Sequence, residues 1–190
     1  MATDVAEKVL KYLDLEKLVN HFAENADIPH VCDYHKEAYD VHCLCVIGYA
    51  AAKYEAGEVS EEVLLAACLH DVKKPQKAFI RKDGQAAFDG HENVTDQEIA
   101  EFLDSDYHNF ARVAELVRGH SLPWQKTDSG KFEKRYNALI EKYGRKFGED
   151  LDLLVVCDHG GGVTREVNLP AAMKEAEKIK AFLLRVAAMK

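Results

Sequence analysis

Three apolar stripes of the same spacing, each closed by a side chain able to bind a metal, constrain this chain more than any other feature. Val63, Ala66, Ala67 and His70 stand at i, i+3, i+4 and i+7; Val113, Leu116, Val117 and His120 repeat the offset, as do Leu151, Leu154, Val155 and Asp158. That spacing places four side chains on one face of an α-helix. Apolar residues recur at helical intervals elsewhere too, from Val5, Val9 and Leu13 onward, and no segment alternates long enough between turn signals to read as a strand. The expectation is an all-α fold, a compact bundle of about seven or eight helices over 3–24, 36–56, 60–71, 91–104, 107–120, 131–143, 148–159 and 170–188. With 190 residues, 47% of them hydrophobic, the chain can bury a core without staples and reads as one domain over 1–190.

Local signals agree with these boundaries. Ser60 ahead of Glu61 and Glu62 suits an N-cap, Pro170 suits a first helical turn, and Gly57 and Gly144 suit helix ends. The stretches 73–90 and 160–169 are the long connections, the second opening on Gly160-Gly161-Gly162, where a lid or a phosphate loop would sit.

A formal net charge of -8 argues against a broad nucleic-acid footprint, which needs many Lys and Arg on phosphates; a small anionic substrate on a local cationic patch stays open. Cys32, Cys43, Cys45, Cys68 and Cys157 are odd in number, lie mostly in apolar stretches and follow no signal peptide, so they read as reduced thiols in a cytoplasmic protein. Apolar runs fall short of the roughly 20 residues a membrane span needs.

The stripes aim His70, His120 and Asp158 inward. His42 shares a face with Ala38, Val46 and Tyr49, and His91 shares one with Thr95, Ile99 and Phe102, which adds two imidazoles. Asp71 follows His70 directly. An unpaired interior carboxylate costs several kcal/mol, so Asp71 and Asp158 need a cation, and a metal supplies one. The plain alternative, in which each histidine is a satisfied core or surface residue and each aspartate a cap, fits any one position but fits six in this order poorly. His21, His30, His35 and His108 read as surface residues. His159 points about 100° away from Asp158 on a helix. Arg118 and Arg165 read as solvated, and Trp124 as packing.

The order His42, His70-Asp71, His91, His120, Asp158 resembles the HD superfamily of metal-dependent phosphohydrolases across about residues 36–165. The wording of Tyr39-Asp-Val-His42, Leu69-His-Asp-Val-Lys-Lys-Pro75, Phe88-Asp-Gly-His-Glu92 and Val117-Arg-Gly-His-Ser-Leu-Pro-Trp124 is similar to the HD domain attached to bacterial tRNA nucleotidyltransferases. The chain reads as a free-standing HD domain, to which CCA addition does not transfer. The resemblance implies that His42, His70, Asp71 and Asp158 bind a core metal. It implies that His91 and His120 hold a second metal or act on the phosphate, and that Lys74 faces the substrate. One departure is Lys73, which stands where the family pattern usually has glycine before that lysine.

Imidazole and carboxylate donors suit one or two ions of Mn, Fe, Co, Ni or Zn, with Mg in a looser site, better than an oxygen cage for Ca. Such ions lower the pKa of bound water and polarise phosphoryl oxygens, so hydrolysis of a small phosphate ester is expected, with a nucleotide, a 2′,3′-cyclic nucleotide or an RNA-end phosphate as the substrate class. In that reading Asp71 bridges two metals or orients the water, and Lys74 offsets charge on the phosphoryl group. The competing reading is a non-catalytic HD module that binds a nucleotide or a protein partner and keeps a structural metal. Oligomeric state is left open by the sequence.

Overall fold

In a computed structural model, residues 4–32, 35–122, 130–162 and 169–189 are described. They form α1 (Asp4–Leu10), α2 (Leu15–Glu24), α3 (Tyr39–Glu55), α4 (Glu61–Leu69), α5 (Lys74–Lys77), β1 (Phe79–Ile80), β2 (Ala86–Ala87), α6 (Asp96–Ala100), α7 (Phe110–Gly119), α8 (Gly130–Tyr143), α9 (Arg145–Gly161) and α10 (Leu169–Ala187). The fold is all-α, as the periodicity requires, with ten helices among the described residues rather than seven or eight.

Two differences account for the higher count. The single helix expected over 3–24 breaks at residues 11–14, where the backbone is claimed by another part of the chain. Asp14 N donates to Phe102 O at 2.7 Å, Asp104 N donates to Tyr12 O at 2.9 Å, and Leu13 bridges Leu103. Asp14 then starts α2 as its N-cap, accepting from Lys17 N. The connection 73–90 holds α5 and a short antiparallel hairpin, with Phe79 opposite Ala87 and Ile80 opposite Ala86.

The centre is α3 and α4. Every residue of α4 from Val63 to Leu69 is buried, the pattern of a helix enclosed on all sides rather than amphipathic. Around this pair, α3 packs against α4, α9 and α10, and α4 packs against α7 and α9. Ser60 caps α4 by accepting from Val63 N at 3.3 Å, so the expected start of that helix is met. Truncating a fully buried leucine here, such as Leu65, costs about 2–5 kcal/mol through lost burial and the cavity left behind.

The glycine run at 160–162 does different work from the loop its composition suggests. Gly160 and Gly161 belong to the last turn of α9, and a Cβ on Gly161 would collide with the backbone of Val46 on α3. Small residues let the two helices approach to backbone contact. That approach delivers Asp158 of α9 to His42 of α3.

Candidate metal centre

Each helix that ends in a donor supplies it from a frame fixed by packing. His42 sits in the first turn of α3; His70 is the C-cap of α4 in right-handed backbone, and Asp71 lies in the turn that follows. His120 is the C-cap of α7, and Asp158 lies in the last turns of α9. His91 departs from expectation. It lies in a turn before α6 rather than on a helix, because that helix starts only at Asp96 under a capping box made by Thr95 and Glu98. Its ring still reaches the others.

Local hydrogen bonds settle the tautomers. His70 Nδ1 donates to Ala67 O at 2.9 Å, His91 Nδ1 to Phe88 O at 2.8 Å and His120 Nδ1 to Val117 O at 2.6 Å. His42 Nδ1 donates to Glu37 Oε1 at 2.9 Å. A carbonyl or carboxylate oxygen can only accept, so these four rings carry a proton on Nδ1 and turn Nε2, the atom able to bind a metal, inward. Orienting bonds of this kind characterise metal-binding histidines.

These Nε2 atoms converge in two groups that share Asp71. Asp71 Oδ2 lies 3.1 Å from His70 Nε2 and 3.3 Å from His42 Nε2, while Asp158 Oδ1 lies 3.2 Å from His42 Nε2 and 3.7 Å from His70 Nε2. Asp71 Oδ1 faces the second group, 3.6 Å from His91 Nε2 and 3.8 Å from His120 Nε2, which are themselves 3.0 Å apart. Donors held at about 2.1 Å from one ion are separated by about 3.0–3.4 Å, a spacing met by most contacts of the first group and by the His91–His120 pair, while the Asp71 Oδ1 contacts to His91 and His120 are a few tenths of an ångström longer. Asp71 Oδ1 is buried and accepts no hydrogen bond among the described residues. A buried carboxylate oxygen facing two bare imidazole nitrogens is electrostatically unfavourable until a cation enters. The residues present therefore fit one or two divalent ions, and His42, His70, Asp71 as well as Asp71, His91, His120 lie close enough to share an ion.

Titration behaviour follows from the same contacts. Burial disfavours a charged His42, but Asp158, Asp71 and Glu37 outweigh it and raise its pKa to about 10, so without a metal a proton occupies this position. Burial, reinforced by His91, lowers His120 to about 4. Burial would raise both carboxyls, yet His70 and Lys74 hold Asp71 well below its ordinary value, and His42 and His70 do the same for Asp158. Burial opposes the charge on Lys74, and Asp71 and Asp158 overcome it, leaving its pKa raised.

Lys74 Nζ lies 2.7 Å from Asp71 Oδ2 and 4.9 Å from the centre of the Phe88 ring. Lys73, which replaces the usual glycine, has ordinary right-handed backbone and reaches away to Glu98 and Asn93 O, so the turn accommodates it. His42, His70, Asp71, Lys74 and His120 are buried; His91 and Asp158 keep 17% and 18% of their side chains exposed and form the rim.

Several residues were read differently from the sequence. His30 is buried rather than superficial, stacked 4.4 Å from His35, and His35 sits beside Lys74. Burial and then Lys74 lower His30 to about 2 and His35 to about 4. His21 is half-buried and donates to Val72 O at 2.9 Å, while His108 is exposed as expected. Arg118 is engaged by Val94 O, Asp96 and Glu115 rather than solvated. Trp124 and Arg165 lie outside the described residues. Glu37, buried against His42, was missed altogether. It stands in irregular chain where no periodicity points to it, although a carboxylate shortly before a helix-borne histidine was a usable sign.

A family model described as the HD domain matches residues 39–159, nearly two thirds of the chain and all six donors. No curated protein matches, and no solved structure matches.

Proposed function

We propose, from the premise that this chain belongs to the HD domain family, that it is a metal-dependent phosphohydrolase acting on a small phosphate ester. Members of that family are generally metal-dependent hydrolases, which is the coarse activity class of this protein. The observation carrying the finer reading is the division of Asp71: Oδ2 joins His42, His70 and Asp158, while Oδ1 joins His91 and His120.

A divalent ion bound by these donors supplies a water of lowered pKa and positive charge beside the phosphoryl oxygens. The chain does the rest. Ala67, Phe88 and Val117 carbonyls and Glu37 hold the four rings by Nδ1, so that their Nε2 atoms face the centre. Asp71 couples the two groups of donors. Lys74, held beside Asp71, offsets charge that builds on the phosphoryl oxygens during P–O cleavage. The ester approaches at the rim formed by His91 and Asp158, where the donors meet solvent.

A nucleotide, a 2′,3′-cyclic nucleotide or an RNA-end phosphate is the proposed substrate class, in keeping with the likeness to HD domains of tRNA nucleotidyltransferases. Among the described residues no helix is long and apolar enough to cross a membrane, and we propose a cytoplasmic setting. Metal analysis of wild type against a His70→Ala, Asp71→Ala double variant tests the site, and equal metal content in the two disposes of it. Turnover of nucleoside monophosphates, 2′,3′-cyclic nucleotides and an aryl phosphate by the metal-loaded protein tests the activity. Bound metal without turnover on any of these favours a nucleotide- or partner-binding module instead.

A further inference from the structure

Lys74 is a buried ammonium with three N–H donors. Its Nζ lies 2.7 Å from Asp71 Oδ2 as an ion pair, and one N–H donates to His35 Nε2 at 3.3 Å. An ammonium has no lone pair, so His35 Nε2 accepts and the ring keeps its proton on Nδ1, which faces Glu37 Oε1 at 3.7 Å. The ring is not free to swing. It stacks on His30 at 4.4 Å with 28° between the planes, and His30 Nδ1 donates to Glu37 O at 2.9 Å. Cys32 N donates to His35 O at 2.9 Å, and Lys36 N donates to the Glu37 carboxylate at Oε2, 2.8 Å away.

We infer that His35 is a positioning residue that aims the Lys74 ammonium at the phosphoryl group of the substrate, an inference that rests on the phosphohydrolase reading. The ion pair to Asp71 and the hydrogen bond to His35 together hold Nζ at the edge of the metal centre. The choice of an imidazole has a chemical consequence: a neutral acceptor orients the ammonium without cancelling its charge, whereas a second carboxylate beside Lys74 would neutralise it. Glu37 ties this arrangement to the metal centre, because the same Oε1 accepts from His42 Nδ1 and faces His35 Nδ1. The histidine that orients the lysine and one that binds metal are thus registered to one carboxylate.

The test is a double-mutant cycle on the metal-loaded full chain, with kcat and KM on an aryl phosphate and the Kd for inorganic phosphate by calorimetry. His35→Leu lowers kcat/KM about tenfold in the wild-type background, as expected for loss of one hydrogen bond to a charged group, and has no further effect beside Lys74→Met. Gln places its amide oxygen near the Nε2 position and Asn does not reach it, so His35→Gln retains activity to within about threefold and His35→Asn behaves like His35→Leu. The Gln and Asn pair decides the matter should Leu prevent folding. Independent, additive losses overturn the inference, as does equal loss in Gln and Asn. Metal loss in His35→Leu overturns it too, by placing the role on the His42 side of Glu37. Absence of turnover in wild type defeats the phosphohydrolase reading instead, and the phosphate Kd then carries the cycle: weakening that persists in the Lys74→Met background overturns the positioning role.

Discussion

The two halves of the metal centre are built differently although they share Asp71. His42, His70 and Asp158 come from α3, the end of α4 and α9, all packed into the centre of the bundle, and His42 has a buried carboxylate, Glu37, behind it. The other half pairs His120, at the end of α7, with His91, which rides on a turn; Asp158 in the first half is exposed to the same degree but is carried by a long packed helix. The first half is preorganised by core packing, and the second depends on the conformation of a loop. Local stability varies with burial and contact density, so the inner group is expected to hold an ion tightly and the outer group to exchange its ion.

Asp71 is where the comparison breaks most completely. Asp71→Asn removes the charge both halves depend on and leaves Lys74 buried beside a neutral group. We expect loss of bound metal and a drop in kcat of at least about a thousandfold, comparable to removing a main transition-state electrostatic group. Loss of a buried ion-pair partner also destabilises by about 3–5 kcal/mol. Retention of a full metal complement by this variant would show that Asp71 joins nothing.

The next effect separates the halves. His91→Ala is expected to remove metal from the outer group and to leave thermal stability nearly unchanged, since its ring is partly exposed and off any helix. His42→Ala removes a fully buried ring from α3 and is expected to cost metal at the inner site together with several degrees of Tm. Elemental analysis and thermal melts on the two variants check this, and identical behaviour would erase the distinction.

Glu37→Gln is a smaller perturbation confined to the inner half. An amide holds the His42 ring less well than a carboxylate, and losing such an orienting partner typically weakens metal affinity about 10–100-fold. Competition with a fluorescent chelator should show one class of site weakened and the other unmoved.

How legible these halves were in the sequence follows from the same distinction. His70, His120 and Asp158 close periodic stripes, and periodicity survives folding because helices carry it directly into space. His42 was found by the same means. The periodicity predicts a helix from His91, but the Thr95 cap starts that helix only at Asp96, so the place of His91 in the motif order, not its helical face, marks it as a donor. His30, His35 and Glu37 lie outside the helices and are placed by contacts to one another, to His42 and to Lys74, so nothing in their spacing shows that they pack behind the metal centre. The breaks at residues 11–14 and the helical state of Gly160 and Gly161 have a similar origin: the backbone near Phe102 and the close approach of Val46 override what local composition favours.

Protons offer the finest way to sharpen the contrast. The His42 pKa, raised to about 10, means that below that pH an ion entering the inner group displaces a proton, whereas His120, lowered to about 4, is already bare at neutral pH. Inner-site affinity should therefore rise about tenfold per pH unit between pH 6 and 8, with one proton released, while His120 adds no such slope to the outer site. Calorimetric titrations in buffers of different ionisation enthalpy count that proton, and equal release at the two sites would contradict the assignment. Stability without metal carries the opposite signs. The contribution of His42 is complete below its unfolded pKa near 6.5 and is lost as pH rises through about 10; that of His120 is present above 6.5 and is lost as pH falls toward 4. The metal-free Tm should accordingly decline on both sides of about pH 6.5, and added metal should abolish the alkaline decline, because the ion replaces the proton that His42 gives up.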